Sequence, residues 1–383
     1  MPSLIRDRAA STPAMLAIFG DEALLRAALR FEAGLARAQA DVGLIDANAA
    51  DCIAAACADL PDVELLAEAA AHAGTLAIPL VKDLRGRIAD PAIAALVHKG
   101  ATSQDLADTA LVLQAKAGTA LIVEEARRLA AGLALLTRAH AGTPMIGRTL
   151  LQAALPITFG LKTSQWLLGV DAALARFETE AAGALQVQLG GATGSLAGMD
   201  GKALAVSDRL AEILDLAPAV APWHARREAI AGLASALAIL VGAVGKVARD
   251  LSLMAQGEVA EAFEPRVEGR GGSSAMAHKR NPTACQTALT AAIRAPHLAA
   301  TLVSALPQPH ERDLGGWQAE GPVIAELFQL AHGALSVMAP VIEGLEVHPD
   351  RMAANLAAAG VGTDTGESEN IALRALAHFE KDR

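Results

Sequence analysis

The segment of residues 271–282 combines residue types that can move a proton and hold an anion. It reads Gly-Gly-Ser-Ser-Ala-Met-Ala-His-Lys-Arg-Asn-Pro and lies between two long stretches of helical periodicity. Glycine allows a loop to fold closely over a ligand, two adjacent serines supply hydroxyls, and Lys279 and Arg280 supply positive charge. Pro282 suits the first turn of a helix, whose free N–H groups attract anions. The segment therefore predicts an anion-binding loop rather than a plain Gly/Ser linker.

Three further polar clusters interrupt the helical pattern, at residues 98–105, 147–152 and 309–314. Taken singly, they are explained by a helix N-cap beside a stray histidine, a solvated arginine and a charged turn. Together they supply hydroxyls, amides and cations at helix ends. No nucleotide-binding glycine motif and no metal-ligand motif accompanies them. The four clusters predict a metal-free site for a small anionic molecule.

The composition predicts an all-α protein built from long, closely packed helices. The 383 residues are 53% hydrophobic but only 3% aromatic, and alanine, the best helix former, dominates. Clusters of β-branched residues at strand spacing are scarce. The three cysteines lack metal-type spacing, which is typical of free thiols in a reducing compartment. Because residues 1–10 contain no apolar signal core, we expect a cytoplasmic protein.

Charge and hydropathy exclude two classes of partner. The net charge of -10 argues against nucleic acid, although a local pocket in an acidic protein can still be basic. The most membrane-like run, residues 229–245, is near the lower length limit for a membrane span and belongs to a longer amphipathic pattern. It predicts a helix at the centre of a bundle rather than a membrane segment.

Hydrophobic periodicity divides the chain into three parts. Residues 1–102 are predicted to form a small helical domain, residues 103–345 a central bundle of very long helices, and residues 346–383 a short helical segment. Within the bundle, long helices are expected at residues 103–140, from just after Thr149 to about residue 189, and at residues 226–261. Apolar stripes of this length exceed what one chain covers, which predicts self-association.

The four clusters, in their order along the chain, resemble the fumarase/aspartase superfamily. Residues 272–282 resemble its GSSxMPxKxNP signature, residues 102–105 its first block, and Arg148, Thr149 and Gln152 its second block. Residues 310–314, His-Glu-Arg-Asp-Leu, resemble the adenylosuccinate lyase branch. The match extends from about residue 19 to residue 345.

This resemblance implies a fold, an assembly and a reaction class. It implies an all-α, three-part fold whose central domain assembles into a homotetramer, with active sites built from blocks of different subunits. Members of the superfamily add or eliminate groups across a C–C bond next to a carboxylate, without an organic cofactor. A small polycarboxylate is therefore the expected substrate.

Departures from the superfamily pattern indicate the branch. Lyases of adenylosuccinate or argininosuccinate carry a histidine acid directly after the Arg-Thr pair of the second block, where this chain has Leu150. Residues 222–224, Pro-Trp-His, stand where adenylosuccinate lyases have a glutamine-bearing stretch. Both features are similar to bacterial 3-carboxy-cis,cis-muconate cycloisomerases, the lactonising enzymes of protocatechuate degradation. Ala277 replaces the usual proline of the signature.

Elementary chemistry supports that branch. A lyase that expels an amine must protonate the leaving nitrogen, so a histidine acid is useful. In lactonisation the attacking group is a substrate carboxylate, which is ionised at neutral pH because its pKa is low. Leu150 is tolerable at that end. The other end still requires a proton for the carbon next to a second carboxylate.

The resemblance and this chemistry assign roles to individual residues. Ser274 is predicted to be the general acid of lactonisation and the base of the reverse reaction, with its pKa lowered by loop N–H groups and nearby cations. The predicted substrate-binding residues are Lys279, Asn281, Arg148 and Arg312 for the carboxylates, Thr102, Ser103, Thr149, Gln152 and Thr193 as hydrogen-bonding partners, and His98 as a donor to a carboxylate.

Three alternatives remain open from the sequence. A lyase that eliminates fumarate would need another histidine, such as His98 or His224, as its acid. A paralogue acting on a sulfo-substituted muconate would use the same cations. A structural protein on this scaffold, like the lens crystallins related to argininosuccinate lyase, is disfavoured by the intact Ser274, Lys279 and Asn281.

Overall fold

The computed structural model describes residues 4–272, 276 and 279–381. Its first part consists of one 21-residue helix and six shorter helices, several of which begin at capping side chains. The Thr12, Asp46, Asp62 and Asp90 side chains each accept a backbone N–H of the helix that follows, as expected for N-cap residues. These elements are α1 (Leu4–Ala10), α2 (Pro13–Ile18), α3 (Asp21–Asp41), α4 (Ala47–Ala56), α5 (Val63–Ala73), α6 (Ala77–Arg87) and α7 (Pro91–Ala94).

The rest of the described chain contains five long helices, joined by two small sheets and shorter helices. In order they are α8 (Ser103–Ala139), β1 (Pro144–Thr149), β2 (Gln152–Thr158), α9 (Phe159–Ala184), α10 (Ala203–Leu214), α11 (Glu228–Met254), β3 (Ala262–Phe263), α12 (Thr283–Ser304), α13 (Gly316–Glu343), β4 (Glu346–Val347), α14 (Pro349–Ala359) and α15 (Ser368–Lys381). The predicted all-α class is confirmed.

The five long helices form one bundle. Helix α8 packs against α9 and α13, and α11 packs against α9, α12 and α13. The apolar stripe of α11 is buried throughout, as its spacing of three and four residues requires. Its members are Ile230, Leu233, Leu237, Leu240, Val244, Val247, Leu251 and Met254.

Buried ion pairs show which helix ends lie together. Arg227, just before α11, bonds Asp108 in the first turns of α8 and Glu320 near the start of α13. Helices α8, α11 and α13 therefore begin at the same end of the bundle, here called the proximal end. Their other ends, and the start of α12, form the distal end. Helix α8 has 37 residues, so the two ends are roughly 55 Å apart at 1.5 Å per residue.

Three of the long helices are apolar enough, and long enough, to cross a membrane. These are α8, α11 and α13, and more than half of the most apolar window of each is buried inside the protein. Helix α13 packs against both of the others. Much of their apolar surface is thus covered by neighbouring helices.

The predicted start of the second long helix is wrong. Residues 144–158 form an antiparallel hairpin, and the helix runs only from Phe159 to Ala184. The turn is made by Leu150 and Leu151, both in the left-handed region with φ of 50° and 65°. Pro156 lies in the strand opposite Ile146, beside a register shift, where its missing N–H is tolerated. The third helix likewise ends early, at Met254, because the chain turns there towards β3, which pairs with β4.

Candidate active site

At the proximal end, Arg312 joins two of the predicted substrate-binding segments. Its Nη1 donates to the Thr102 hydroxyl at 2.7 Å and to the Ala192 carbonyl at 3.2 Å. Thr102 caps α8, and Ser103, half-buried, is the first residue of that helix. The exposed Thr193 follows Ala192, with its hydroxyl 3.0 Å from that of Ser195.

The guanidinium of Arg312 is bound by neutral groups and not by a carboxylate among the described residues. Both acceptors are neutral oxygens, and none of the carboxylates in the described ranges forms an ion pair with it. A guanidinium carries five N–H donors in a planar fork that suits carboxylates. Arg312 is therefore the strongest candidate for a substrate carboxylate at the proximal end.

Asp105 connects the pieces of the proximal end, although it was not among the predicted catalytic or substrate-binding residues. Its fully buried carboxylate accepts the N–H groups of Thr102, Gly190 and Gly191 at 2.8–2.9 Å. It also lies 2.6 Å from His224 Nε2. Four donors to one carboxylate fix the start of α8 against the loop of residues 190–195.

His98 is held by a buried carboxylate. Its Nδ1 lies 2.5 Å from Glu32 Oε1, and Glu32 is buried on α3. Burial alone lowers the pKa of His98, but the hydrogen bond and the charge of Glu32 outweigh it, so the pKa is raised above its ordinary value. One ring nitrogen is thus committed to Glu32, and Nε2 remains for a substrate.

At the distal end, Arg148 is paired with a carboxylate of its own chain. Its two terminal nitrogens form a bidentate bond with the fully buried Glu261, at 2.9 and 2.8 Å. Asn355 on α14 also donates to Glu261. Sequence reasoning missed Glu261, which no recognised motif marks. Because Glu261 compensates the charge of Arg148, this arginine is a weaker carboxylate ligand than was expected.

The hairpin tip next to Arg148 projects apolar side chains. Thr149 and Gln152 pair across the turn, and both are exposed. Between them, Leu150 is 96% and Leu151 76% exposed. Bulky residues rarely adopt a left-handed backbone conformation, so the turn holds these two leucines in an energetically unfavourable backbone conformation.

The described parts of the signature loop are also at the distal end. Asn281 N–H donates to the Gly271 carbonyl at 2.8 Å, and its side-chain amide lies 3.4 Å from the Gly272 carbonyl. Lys279 is exposed and lines a cavity of about 230 Å³ with Arg280 and Asn281. Ser274 lies outside the described residues, so its role in proton transfer stays a prediction.

Arg280 anchors this loop. Its guanidinium forms a bidentate pair with Glu346 of β4 at 2.8 and 2.9 Å, and donates to the Glu264 carbonyl at 2.7 Å. It also lies over the ring of Phe263, 5.0 Å from the centroid. The hydrogen bonds from Arg280 lower the pKa of Glu346. Lys279 and Asn281, which flank Arg280 in the chain, are thereby fixed beside the cavity.

The anion predicted at the start of α12 is supplied by the protein itself. The Glu264 carboxylate accepts the N–H of Cys285 at 2.9 Å and of Ala284 at 3.2 Å. The free N–H groups of this helix end are therefore used internally. Burial and the adjacent Glu264 raise the pKa of the Cys285 thiol, so this cysteine is no nucleophile at neutral pH.

The predicted site residues fall into two groups that one chain does not bring together. The proximal group is His98, Thr102, Ser103, Thr193 and Arg312, and the distal group is Arg148, Thr149, Gln152, Lys279 and Asn281. About 55 Å of helix α8 separates them. Among the described residues, no cluster of three or more His, Cys, Asp or Glu side chains has the geometry to hold a metal ion.

A bundle of long helices with cations and hydroxyls clustered at both ends is typical of the fumarase/aspartase-like lyases. A family model described as lyase matches residues 7–296, and the chain belongs to this family. It is 48% identical over 349 residues to a 3-carboxy-cis,cis-muconate cycloisomerase of Bradyrhizobium diazoefficiens. The aligned region covers 90% of this chain and 77% of that protein.

The chain is also similar to a second curated enzyme and to a solved structure. A nitrosuccinate lyase of Streptomyces davaonensis is 42% identical over 358 residues, covering 91% of this chain and 75% of that protein. The crystal structure of a 3-carboxy-cis,cis-muconate lactonizing enzyme from Pseudomonas putida superposes with a TM-score of 0.87 at 38% identity, covering 100% of this chain and 89% of that chain.

Proposed function

We propose that this protein is a 3-carboxy-cis,cis-muconate cycloisomerase. It converts its substrate to 4-carboxymuconolactone in the protocatechuate branch of the β-ketoadipate pathway of aromatic degradation. The observation that carries the proposal is the hairpin tip: Leu150 directly follows Arg148 and Thr149 and is almost fully exposed. A tip without an ionisable side chain suits a reaction whose nucleophile needs no proton transfer.

The two histidines considered as substitute acids are poorly placed for expelling an amine. His224 is 3% exposed and bonded to Asp105. His98 commits Nδ1 to Glu32. His224 is therefore inaccessible as an acid and His98 offers only Nε2, whereas lactonisation requires no histidine at the carboxylate end.

The proposed reaction is an isomerisation in which every atom is retained. A substrate carboxylate oxygen forms a bond to an alkene carbon, and the π-electron pair moves to the neighbouring carbon, next to another carboxylate. That carbon takes a proton, which we assign to Ser274, and the serine recovers its proton from solvent, so that the substrate trianion and one proton give the lactone dianion. Arg312 and Lys279 bind substrate carboxylates and stabilise the charge that develops on the enolate.

We further propose that the site is assembled from several subunits of a cytoplasmic homotetramer. A small tricarboxylate cannot span roughly 55 Å, so the proximal group of one chain must meet the distal group of another. A twofold axis perpendicular to the bundle turns one copy end for end, which would place its proximal end beside the distal end of the other. The exposed tip formed by Leu150 and Leu151 then lies against a neighbouring subunit.

The test is a comparison of substrates on the purified protein. Loss of the conjugated-diene absorbance of 3-carboxy-cis,cis-muconate is expected, with much lower kcat/KM for the sulfo-substituted analogue, adenylosuccinate and argininosuccinate. Nitrosuccinate is included because of the relative that bears that name. A higher kcat/KM for any of these compounds than for the muconate refutes the proposal.

A pair of serine variants then tests the proton-transfer residue. Ser274→Ala is expected to lower kcat by about 10²- to 10⁴-fold, the usual contribution of a general acid. Ser235→Ala is the matched control, because Ser235 Oγ donates to the Ala231 carbonyl of its own helix. Near-normal turnover of Ser274→Ala would rule out the assignment.

A further inference from the structure

The buried side chain of His224 has no place in the proposed reaction, yet it contacts the centre of the proximal group. Its Nε2 lies 2.6 Å from Asp105 Oδ1. Because the Asp105 carboxylate already accepts three backbone N–H groups, it acts as an acceptor here and Nε2 is the donor. The other ring nitrogen, Nδ1, is buried without a hydrogen-bond partner among the described residues.

The position of His224 is fixed from several sides. Gln104 Nε2 donates to its carbonyl oxygen at 2.9 Å. The backbone N–H of the neighbouring Trp223 donates to the Gln188 side-chain oxygen at 3.0 Å. A Cβ on Gly190 would lie 2.6 Å from His224 Cε1, so the imidazole packs directly on the backbone of the 190–195 loop.

The bonds of Asp105 lead from His224 to Arg312. Asp105 binds the N–H of Thr102 on one side and those of Gly190 and Gly191 on the other. These are the two segments that hold the Arg312 guanidinium, through the Thr102 hydroxyl and the Ala192 carbonyl. A shift of the Asp105 carboxylate would therefore move both acceptors of Arg312.

We propose that His224 is a positioning residue for carboxylate binding by Arg312. It donates to Asp105, which in turn fixes the Thr102 hydroxyl and the 190–195 loop in the spacing that the guanidinium requires. The inference rests on the proposed function for the identity of the substrate, a polycarboxylate bound at the proximal end. The contacts themselves do not depend on it.

The effect on catalysis follows from this position. His224 does not reach the substrate, so its loss should weaken binding in the ground state and transition state alike. A variant of that kind raises KM and leaves kcat nearly unchanged. A hydrogen bond to a charged group contributes enough to change KM by about 10- to 100-fold.

The experiment compares His224→Leu with His224→Gln. The glutamine amide places an N–H near the position of Nε2, so it should restore KM to within about threefold of the wild-type value, whereas leucine should not. His332→Leu is the matched control: His332, within α13, is also buried and bonds the hydroxyl of Thr12, the residue before α2, at 2.8 Å. It should leave KM unchanged.

Hydrogen exchange supplies a measurement that needs no substrate. The Gly190 and Gly191 amides should exchange about tenfold faster or more in His224→Leu than in His224→Gln or the wild type. If His224→Leu does not fold, Gly190→Ala takes its place, because the added Cβ would displace the imidazole. This variant should raise KM and amide exchange in the same way.

The outcomes separate the two proposals. An unchanged KM and unchanged exchange in His224→Leu overturn the positioning role, as does a glutamine variant impaired as strongly as the leucine variant. A wild-type protein inactive on 3-carboxy-cis,cis-muconate refutes the proposed function alone, and the exchange rates then still decide the role of His224.

Discussion

The separation of the two groups of site residues makes a quantitative prediction about mixed oligomers. Arg312→Ala removes the uncompensated cation of the proximal end, and Lys279→Ala removes a cation of the distal end. Each should lower kcat/KM by about 10- to 100-fold, because each deletes a charge-assisted contact to a substrate carboxylate. Co-expression of the two variant chains should nevertheless restore activity.

The size of the restoration follows from the bundle geometry. If one site takes its proximal group from one chain and its distal group from another, random mixing in equal amounts leaves about a quarter of the sites with both cations. If both groups came from the same chain, no mixed site would have both. The roughly 55 Å between the ends of α8 requires the first case.

The assay is the loss of diene absorbance by equally co-expressed chains that carry different affinity tags. The control mixes wild-type chains with chains that carry both substitutions. Shared sites give about a quarter of wild-type activity in both mixtures. Sites within one chain give about half in the control mixture and no gain over the single variants in the other, a pattern that would refute the shared site.

Three further predictions concern single contacts. The wild type should be more stable than His98→Leu below pH 6.5, and the difference in stability should shrink as pH rises through the raised pKa of His98. The reason is that the charged pair with Glu32 is lost when His98 deprotonates. Melting temperatures of both proteins between pH 5.5 and 9 test this, and a difference that does not change with pH contradicts it. The wild type should be more stable than Arg280→Met at neutral pH, and this difference should be lost as pH falls through the lowered pKa of Glu346. Urea unfolding midpoints of both proteins at pH 7 and 3.5 would measure it. Equal midpoints at pH 7 would show that the Arg280–Glu346 pair does not stabilise the protein. Gly271→Ala should lower kcat/KM by about tenfold or more through loop strain, with unchanged helical circular dichroism. Gly271 has a φ of 73°, and an added Cβ would lie 2.7 Å from the Asn281 carbonyl oxygen. Normal kinetics of this variant would exclude a strained loop.

Helical periodicity predicted most of the bundle because the buried stripes are long. Eight apolar positions of α11 repeat at the expected spacing, and all are buried. The hairpin of residues 144–158 escaped prediction because its short strands mix apolar and polar residues, and because leucines occupy a turn that normally favours Asn and Gly. Local sequence carries little signal for such a turn.

The candidate site was only partly accessible to sequence reasoning. Motifs identified the cations Arg148, Lys279 and Arg312, since charge and glycine spacing are local features. They did not identify Glu261, which neutralises Arg148 from 113 residues away, or the role of Asp105. Compensating carboxylates of this kind depend on tertiary packing, which no local pattern encodes.

The carboxylate of Glu264 has a consequence for salt dependence. By capping the first N–H groups of α12, it removes the partial positive charge that a helix start would otherwise offer to an anion. Attraction of the substrate to the distal end then depends on side-chain charge, chiefly that of the exposed Lys279. Such attraction is screened over about 8 Å at physiological ionic strength, so KM should rise steeply with salt while kcat does not.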